Sequence, residues 1–165
     1  RIVVDCMNAW SKNKLVEIRS PDSTRPWQHV LEPLSGYLKL GADLFRDNSL
    51  NGMAFNFGPK AEQNQTVKEL LKDLAKYWNF DRTDHAFTIT DDIPFHEAGL
   101  LKLNCDKALS YLKWEPTLDY QDTIKYTSQW YYKFYSKYQD MYSLTNEQIN
   151  NYESSALKRK LSWTE

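Results

Sequence analysis

Apolar and polar positions alternate along this chain in blocks that change period. Ile2, Val3, Cys6, Met7 and Trp10 recur at helical spacing and predict a short amphipathic helix, closed at Asn13 and Lys14. Val16 to Arg19 reads as a short extended run, bounded by the turn-forming residues 20–24. Residues 25–30 predict a second extended piece, because Arg25 stands directly before Pro26 and is biased away from helix. Glu32-Pro33 then opens a helix on which Leu34, Tyr37, Leu38, Gly41, Ala42 and Phe45 keep a 3.6-residue period. Asn51-Gly52 signals a turn before an apolar strand at 53–57, which Gly58-Pro59 stops.

Thr66 and Glu69 have the spacing of a capping box, and the helix they start points Val67, Leu70, Leu71, Leu74 and Trp78 inward. Residues 86–90 and 100–103 predict strands. A short helix follows at 105–112, with Asn104 as its N-cap. Residues 119–138 predict a long aromatic helix whose stripe of Tyr126, Trp130, Phe134 and Tyr138 belongs to a core. Residues 141–165 read as a polar tail with room for one more helical turn.

Short strands alternating with helices predict an α/β fold, with a main domain over 1–140 and a C-terminal helical or polar tail over 141–165. The chain has 165 residues, of which 41% are hydrophobic, enough for one domain with a sizeable core. Its 21 basic and 22 acidic residues leave a formal net charge of −1, without the basic excess of a nucleic-acid binder. No apolar run reaches the ~20 residues of a membrane-spanning helix, and no signal-peptide core opens the chain. Cys6 and Cys105 are far apart in sequence and, with three scattered histidines, give no metal-ligand spacing. Two reduced cysteines fit a cytoplasmic protein.

The five glycines (36, 41, 52, 58 and 99) include no glycine-rich turn of the kind that cradles a dinucleotide. No cofactor is therefore expected to be bound by these residues alone. The opening at Arg1, without an initiator methionine, suggests a piece of a longer protein.

Four blocks carry a resemblance. They are the string from Thr24 to Leu38 (TRPWQHVLEPLSGYL), Phe55 to Pro59 (FNFGP), His96-Glu97 leading to 101–108 (LKLNCDKA), and Leu112 to Pro116 (LKWEP). Together they resemble the C-terminal part of the extended short-chain dehydrogenases that act on nucleotide sugars, the epimerase and dehydratase family. In that family the fourth block typically reads LGWxP. The long first block, the HEA string at 96–98 and the stretch 141–149 are similar to the dehydratases that act on CDP-sugars.

The resemblance implies a sugar-nucleotide-binding domain of a lyase in deoxysugar and polysaccharide biosynthesis. It also implies NAD as the parent enzyme's cofactor, a Rossmann domain preceding Arg1, and a homodimer. In such a protein the helix 33–46 and strand 53–57 return to the Rossmann domain. The glycine-rich turn and the Tyr-x-x-x-Lys acid–base pair lie outside this chain, so no residue here is expected to be catalytic. An epimerase or decarboxylase of the same family, and a non-catalytic binding or oligomerisation module, are the alternatives.

Arg25 is the foremost substrate-binding candidate. Its guanidinium can pair bidentately with diphosphate oxygens, or else with a structural carboxylate. Trp27 either stacks on the nucleotide or packs the domain. The resemblance places Glu97 near the nucleotide ribose, where a carboxylate can accept from sugar hydroxyls, and His96 beside it could donate to phosphate. Many relatives carry an arginine three positions before Glu97, and this chain has Pro94 there. Gln28 and His29 are read as residues that orient the loop.

Overall fold

The computed structural model describes residues 2–78, 80, 83–90 and 99–164. Six α-helices are assigned among them: α1 (Ile2–Trp10), α2 (Leu31–Arg46), α3 (Val67–Ala75), α4 (Asp106–Leu112), α5 (Tyr120–Tyr135) and α6 (Met141–Lys158). Two strands, β1 (Val16–Ile18) and β2 (Phe87–Ile89), form a parallel pair with Val16 opposite Phe87 and Ile18 opposite Ile89. Helices with a small parallel sheet are compatible with the predicted α/β class.

The chain divides into two compact units. The first takes residues Arg1–Arg25, Asn64–Lys102 and Ile124–Leu144; the second takes Pro26–Gln63, Leu103–Thr123 and Thr145–Glu165.

In the first unit, α1 buries Cys6, Met7 and Trp10, as its apolar spacing predicts. The Trp10 indole donates to the Ala86 carbonyl (2.8 Å) and its ring meets Trp78 at 5.8 Å. The capping box at α3 is present: Thr66 Oγ1 accepts from Glu69 N–H, and Glu69 Oε2 accepts from Thr66 N–H (2.7 Å). Two orphan donors of the helix terminus are thereby satisfied. Leu70, Leu71 and Leu74 are buried on the face that the sequence predicts. Burial also pushes the Cys6 thiol up to about 12, so it packs as a small apolar group.

The second unit is built around an aromatic wedge. Phe57 meets Trp114 edge-on at 5.0 Å, and Leu50, Ala108 and Leu112 complete the buried cluster. Gly36 is required for this packing, since a Cβ there would come within 2.3 Å of the Phe57 ring. Leu50 to Met53 form a turn closed by Met53 N–H to the Leu50 carbonyl (3.1 Å). Asn51 at φ −63°, ψ 133° and Gly52 at φ 76° give it type II geometry.

Several expectations are corrected. Residues 53–57 and 100–103 carry no named strand; a β-segment needs a ladder partner, and only an isolated bridge from Leu100 to Thr24 is formed. Residues 25–29 are likewise without strand assignment, and Val30 is helical at φ −59°, ψ −29°. The N-cap of α4 is Cys105, while Asn104 Oδ1 accepts from Asp106 N–H (2.9 Å) from one position earlier.

On α5 the predicted core stripe is not buried as a whole. Phe134 and Tyr138 are exposed and Phe134 stacks on Trp130, whereas Tyr132 and Tyr135 pack against Trp78. Residues 141–158 form an 18-residue helix in place of a single turn, and it buries Gln148, Tyr152 and Ala156.

The largest departure is α2. Its regular apolar positions face solvent: Leu34 is 45% exposed, Tyr37 60%, Leu38 76% and Phe45 94%. The buried residues are Glu32, Ser35 and Gly36. The helix is held by the buried Glu32 together with Leu40 and Leu44, which are half-buried against the cluster of Leu50, Phe57 and Trp114.

Candidate functional site

Arg25 follows a residue that is held on two sides. Thr24 forms an antiparallel bridge to Thr66 and a parallel bridge to Leu100, and its N–H donates to the Gly99 carbonyl at 2.8 Å. Just before it, the Ser23 and Pro21 carbonyls accept from the N–H groups of Val67 and Lys68 at the start of α3 (both 2.9 Å). These bonds follow from the sequence: Ser20 to Thr24 has the turn chemistry to leave β1, and the α3 terminus offers unpaired N–H donors.

The Arg25 guanidinium donates from Nη1 to the Thr24 carbonyl at 2.8 Å. The backbone leading into Arg25 is thus fixed, and the side chain is half-buried. Gly99, the residue bonded to Thr24, stands two positions after Glu97 in the sequence.

The four predicted site residues are not brought into one described constellation. Arg25 belongs to the first unit, and Trp27, half-buried, to the second. His96 and Glu97 lie outside the described residues. Gln28 orients the loop as expected: its Nε2 donates to the Phe57 carbonyl at 3.1 Å. His29 accepts the Leu31 N–H on Nδ1 (3.4 Å) at the entry to α2, and burial draws its pKa down to about 4. A neutral imidazole is required for that acceptor role. Among the described residues no cluster of His, Cys, Asp and Glu could hold a metal ion, and no helix is long and apolar enough to cross a membrane.

A polar cluster that local sequence patterns do not reveal lies in the second unit. The Glu32 carboxylate, 1% exposed, accepts from Thr117 N–H (3.0 Å) and Leu118 N–H (2.6 Å). Tyr152 Oη lies 3.0 Å from Glu32 Oε2 and 2.9 Å from Ser35 Oγ. Ser35 Oγ donates to the Glu32 carbonyl and accepts from the Trp114 indole (3.0 Å). From the other side, Arg159 Nη1 donates to the Pro116 and Thr117 carbonyls. The loop 114–118 is therefore clamped through its N–H groups by a carboxylate and through its carbonyls by a guanidinium.

Burial raises the Glu32 carboxyl above its ordinary range, against the lowering effect of the Leu118, Thr117 and Tyr152 donors and of the Arg159 charge. The Tyr152 phenol is raised by burial and by the Glu32 charge, which keeps its O–H available to donate. No reaction is suggested by this arrangement, since every group in it is engaged in holding the loop. It is a fold-fixing network. Only the acid's place in the first turn of α2 is visible in the sequence, and that position reads equally well as a partner for the helix dipole.

The fourth sequence block sits beside this clamp. Lys113 ends α4 in the left-handed region at φ 54°, with Trp114 N–H reaching back to the Ala108 carbonyl (3.3 Å). A glycine is the usual residue for such a C-terminal cap.

Over 158 residues, 96% of its length, the chain is 32% identical to CDP-glucose 4,6-dehydratase from Salmonella typhimurium. The chain is a relative of that dehydratase. The match covers 43% of the Salmonella protein, so the chain spans less than half the length of the curated relative it matches. No protein-family model matches the chain. The similarity takes in nearly all of both units, and with them the Thr24 junction and the Glu32 clamp.

Proposed function

We propose that this chain is the C-terminal, sugar-nucleotide-binding portion of a CDP-glucose 4,6-dehydratase of the extended short-chain dehydrogenase family. It acts together with a dinucleotide-binding portion outside these 165 residues. The observation that carries the reading is the 32% identity to a CDP-glucose 4,6-dehydratase over 96% of the chain. In this reading the parent enzyme is a cytoplasmic, homodimeric lyase that converts CDP-glucose to CDP-4-keto-6-deoxyglucose and water.

The residues in hand support a binding role and not a cofactor site. β1 leads into the turn at Ser20–Thr24 and not through a glycine-rich turn into a helix, so the strand–turn–helix cradle for a pyrophosphate is missing among the described residues. NAD, which would take up and return a hydride when bound, belongs to the other portion.

This chain's own part is to grip and orient. Arg25 holds the diphosphate through its fixed guanidinium plane, and Trp27 lines the nucleotide pocket. Glu97 accepts from the ribose hydroxyls, and His96 donates to phosphate. The bond from Thr24 to Gly99 supports the reading of Arg25, because it helps to fix the backbone that leads into the guanidinium.

The exposed stripe of α2 fits the same proposal. Four large apolar side chains at helical spacing facing water are unusual for a self-sufficient domain. The remainder of the longer protein covers them.

The test is turnover by the protein read from the complete reading frame and by the chain alone. The complete protein is expected to convert CDP-glucose to a 4-keto sugar nucleotide, and the 165 residues are expected to convert none. Turnover by the chain alone, or conversion only of a different nucleotide sugar by the complete protein, would contradict the reading.

A further inference from the structure

Asn51 is the one asparagine in the chain that glycine follows. It stands at the first central position of the type II turn between Leu50 and Met53, and both Asn51 and Gly52 are exposed. Apart from its chain neighbours Asn51 and Met53, no atom lies within 4 Å of the place where a Cβ on Gly52 would sit, so nothing more distant in the chain crowds the turn at Gly52. The 3.1 Å bond from Met53 N–H to the Leu50 carbonyl closes the turn. Attack needs a rotation about Asn51 that opens this one hydrogen bond and brings the Gly52 nitrogen onto the amide carbon at the end of the Asn51 side group.

We propose that Asn51-Gly52 is a self-modification site at which the folded protein converts Asn51 to isoaspartate and aspartate. The Gly52 amide nitrogen attacks Cγ of Asn51. As the N–Cγ bond forms, the Cγ–Nδ2 bond of Asn51 breaks, and the amide proton leaves with the departing ammonia. Water then opens the cyclic imide. Opening at the Asn51 backbone carbonyl routes the backbone through the former side group and gives isoaspartate; opening at Cγ gives aspartate. Oxidation states are unchanged, and a neutral amide becomes a carboxylate.

The consequences follow from what flanks the turn. Leu50 is buried in the cluster with Phe57 and Trp114, and Met53 and Phe55 pack against that cluster. Isoaspartate inserts a methylene into the backbone between these two anchors and adds a negative charge to the turn. The bond from Met53 to Leu50 cannot keep its geometry when the turn lengthens. Modification therefore loosens the segment 53–57 in the second unit, independently of any nucleotide binding.

The experiment ages the purified protein at mildly alkaline pH, folded and in urea, and maps isoaspartyl peptides by mass spectrometry. The expected result is an isoaspartyl peptide containing residue 51 that accumulates in the folded protein, is lost in Asn51→Gln, and outpaces modification at every other asparagine. If residue 51 stays asparagine in the folded protein while the urea-unfolded form converts, the native turn protects the site and the proposal is wrong. Absence of conversion in both states would overturn it as well.

Discussion

Helices α2 and α3 have similar apolar periodicity and opposite fates. On α3, Leu70, Leu71 and Leu74 turn into the first unit, and Lys68, Lys72 and Lys76 belong to its polar side. On α2, Leu34, Leu38 and Phe45 face solvent, and the helix is anchored in the second unit by buried Glu32, Ser35 and Gly36 and by Leu40 and Leu44 against the cluster of Phe57 and Trp114. An apolar stripe shows that a helix has a face to cover; it does not say that the same polypeptide covers it. For α3 the two coincide. For the stripe of Leu34, Leu38 and Phe45 on α2 they do not, and a buried carboxylate shares the anchoring with Leu40 and Leu44.

The comparison can be broken by substitution. The largest effect is expected from Glu32→Ala, which strands two backbone donors and a phenol in a dry interior. The loss should be about 3–5 kcal/mol, the scale for removing one partner from a buried charged network, measured by urea unfolding. Leu71→Ala on α3 should lose about 2–4 kcal/mol through an unfilled cavity. A gain is expected from Lys113→Gly, which relieves a left-handed residue worth about 1 kcal/mol.

His29 and Glu32 give a pH effect with two opposed parts. The His29 pKa is about 4 in the folded state, below the ordinary histidine value, so the unfolded chain binds the proton first. Stability is lost as pH falls from about 6.5 toward 4, and His29→Gln should flatten that slope. The Glu32 pKa is raised in the folded state, so its contribution is full at low pH and is lost as pH rises through the folded value. Glu32→Gln should remove that second slope while leaving the first.

The smallest effect is expected for Phe45→Ala, within about 0.5 kcal/mol as for an open surface site. A loss as large as that at Leu71 would mean that α2 is covered within the isolated chain.

Local chemistry makes much of the fold legible. Helices α1 to α5 lie close to their predicted bounds because apolar spacing, the Thr66–Glu69 capping box and the turn residues all act over a few residues. What escapes the sequence depends on distant partners. Residues 53–57 and 100–103 have strand-like composition, yet a strand exists only if another is beside it. Helix α6 reads as a polar tail because few of its residues are apolar; its docking rests on Tyr152 and Ala156. Glu32 meets Leu118 and Tyr152 across separations of 86 and 120 residues, which no local pattern encodes. Of the candidate site, the motif around Arg25 is legible in sequence, and the structure adds the doubly bridged Thr24 that holds it.

The most direct test of the account is calorimetric titration of CDP into this chain and into its Arg25→Ala variant. The chain is expected to bind CDP with detectable heat. The variant should bind at least about tenfold more weakly, the loss of a charge-assisted contact of about 1.5–3 kcal/mol. Equal affinity of the two proteins for CDP would contradict it.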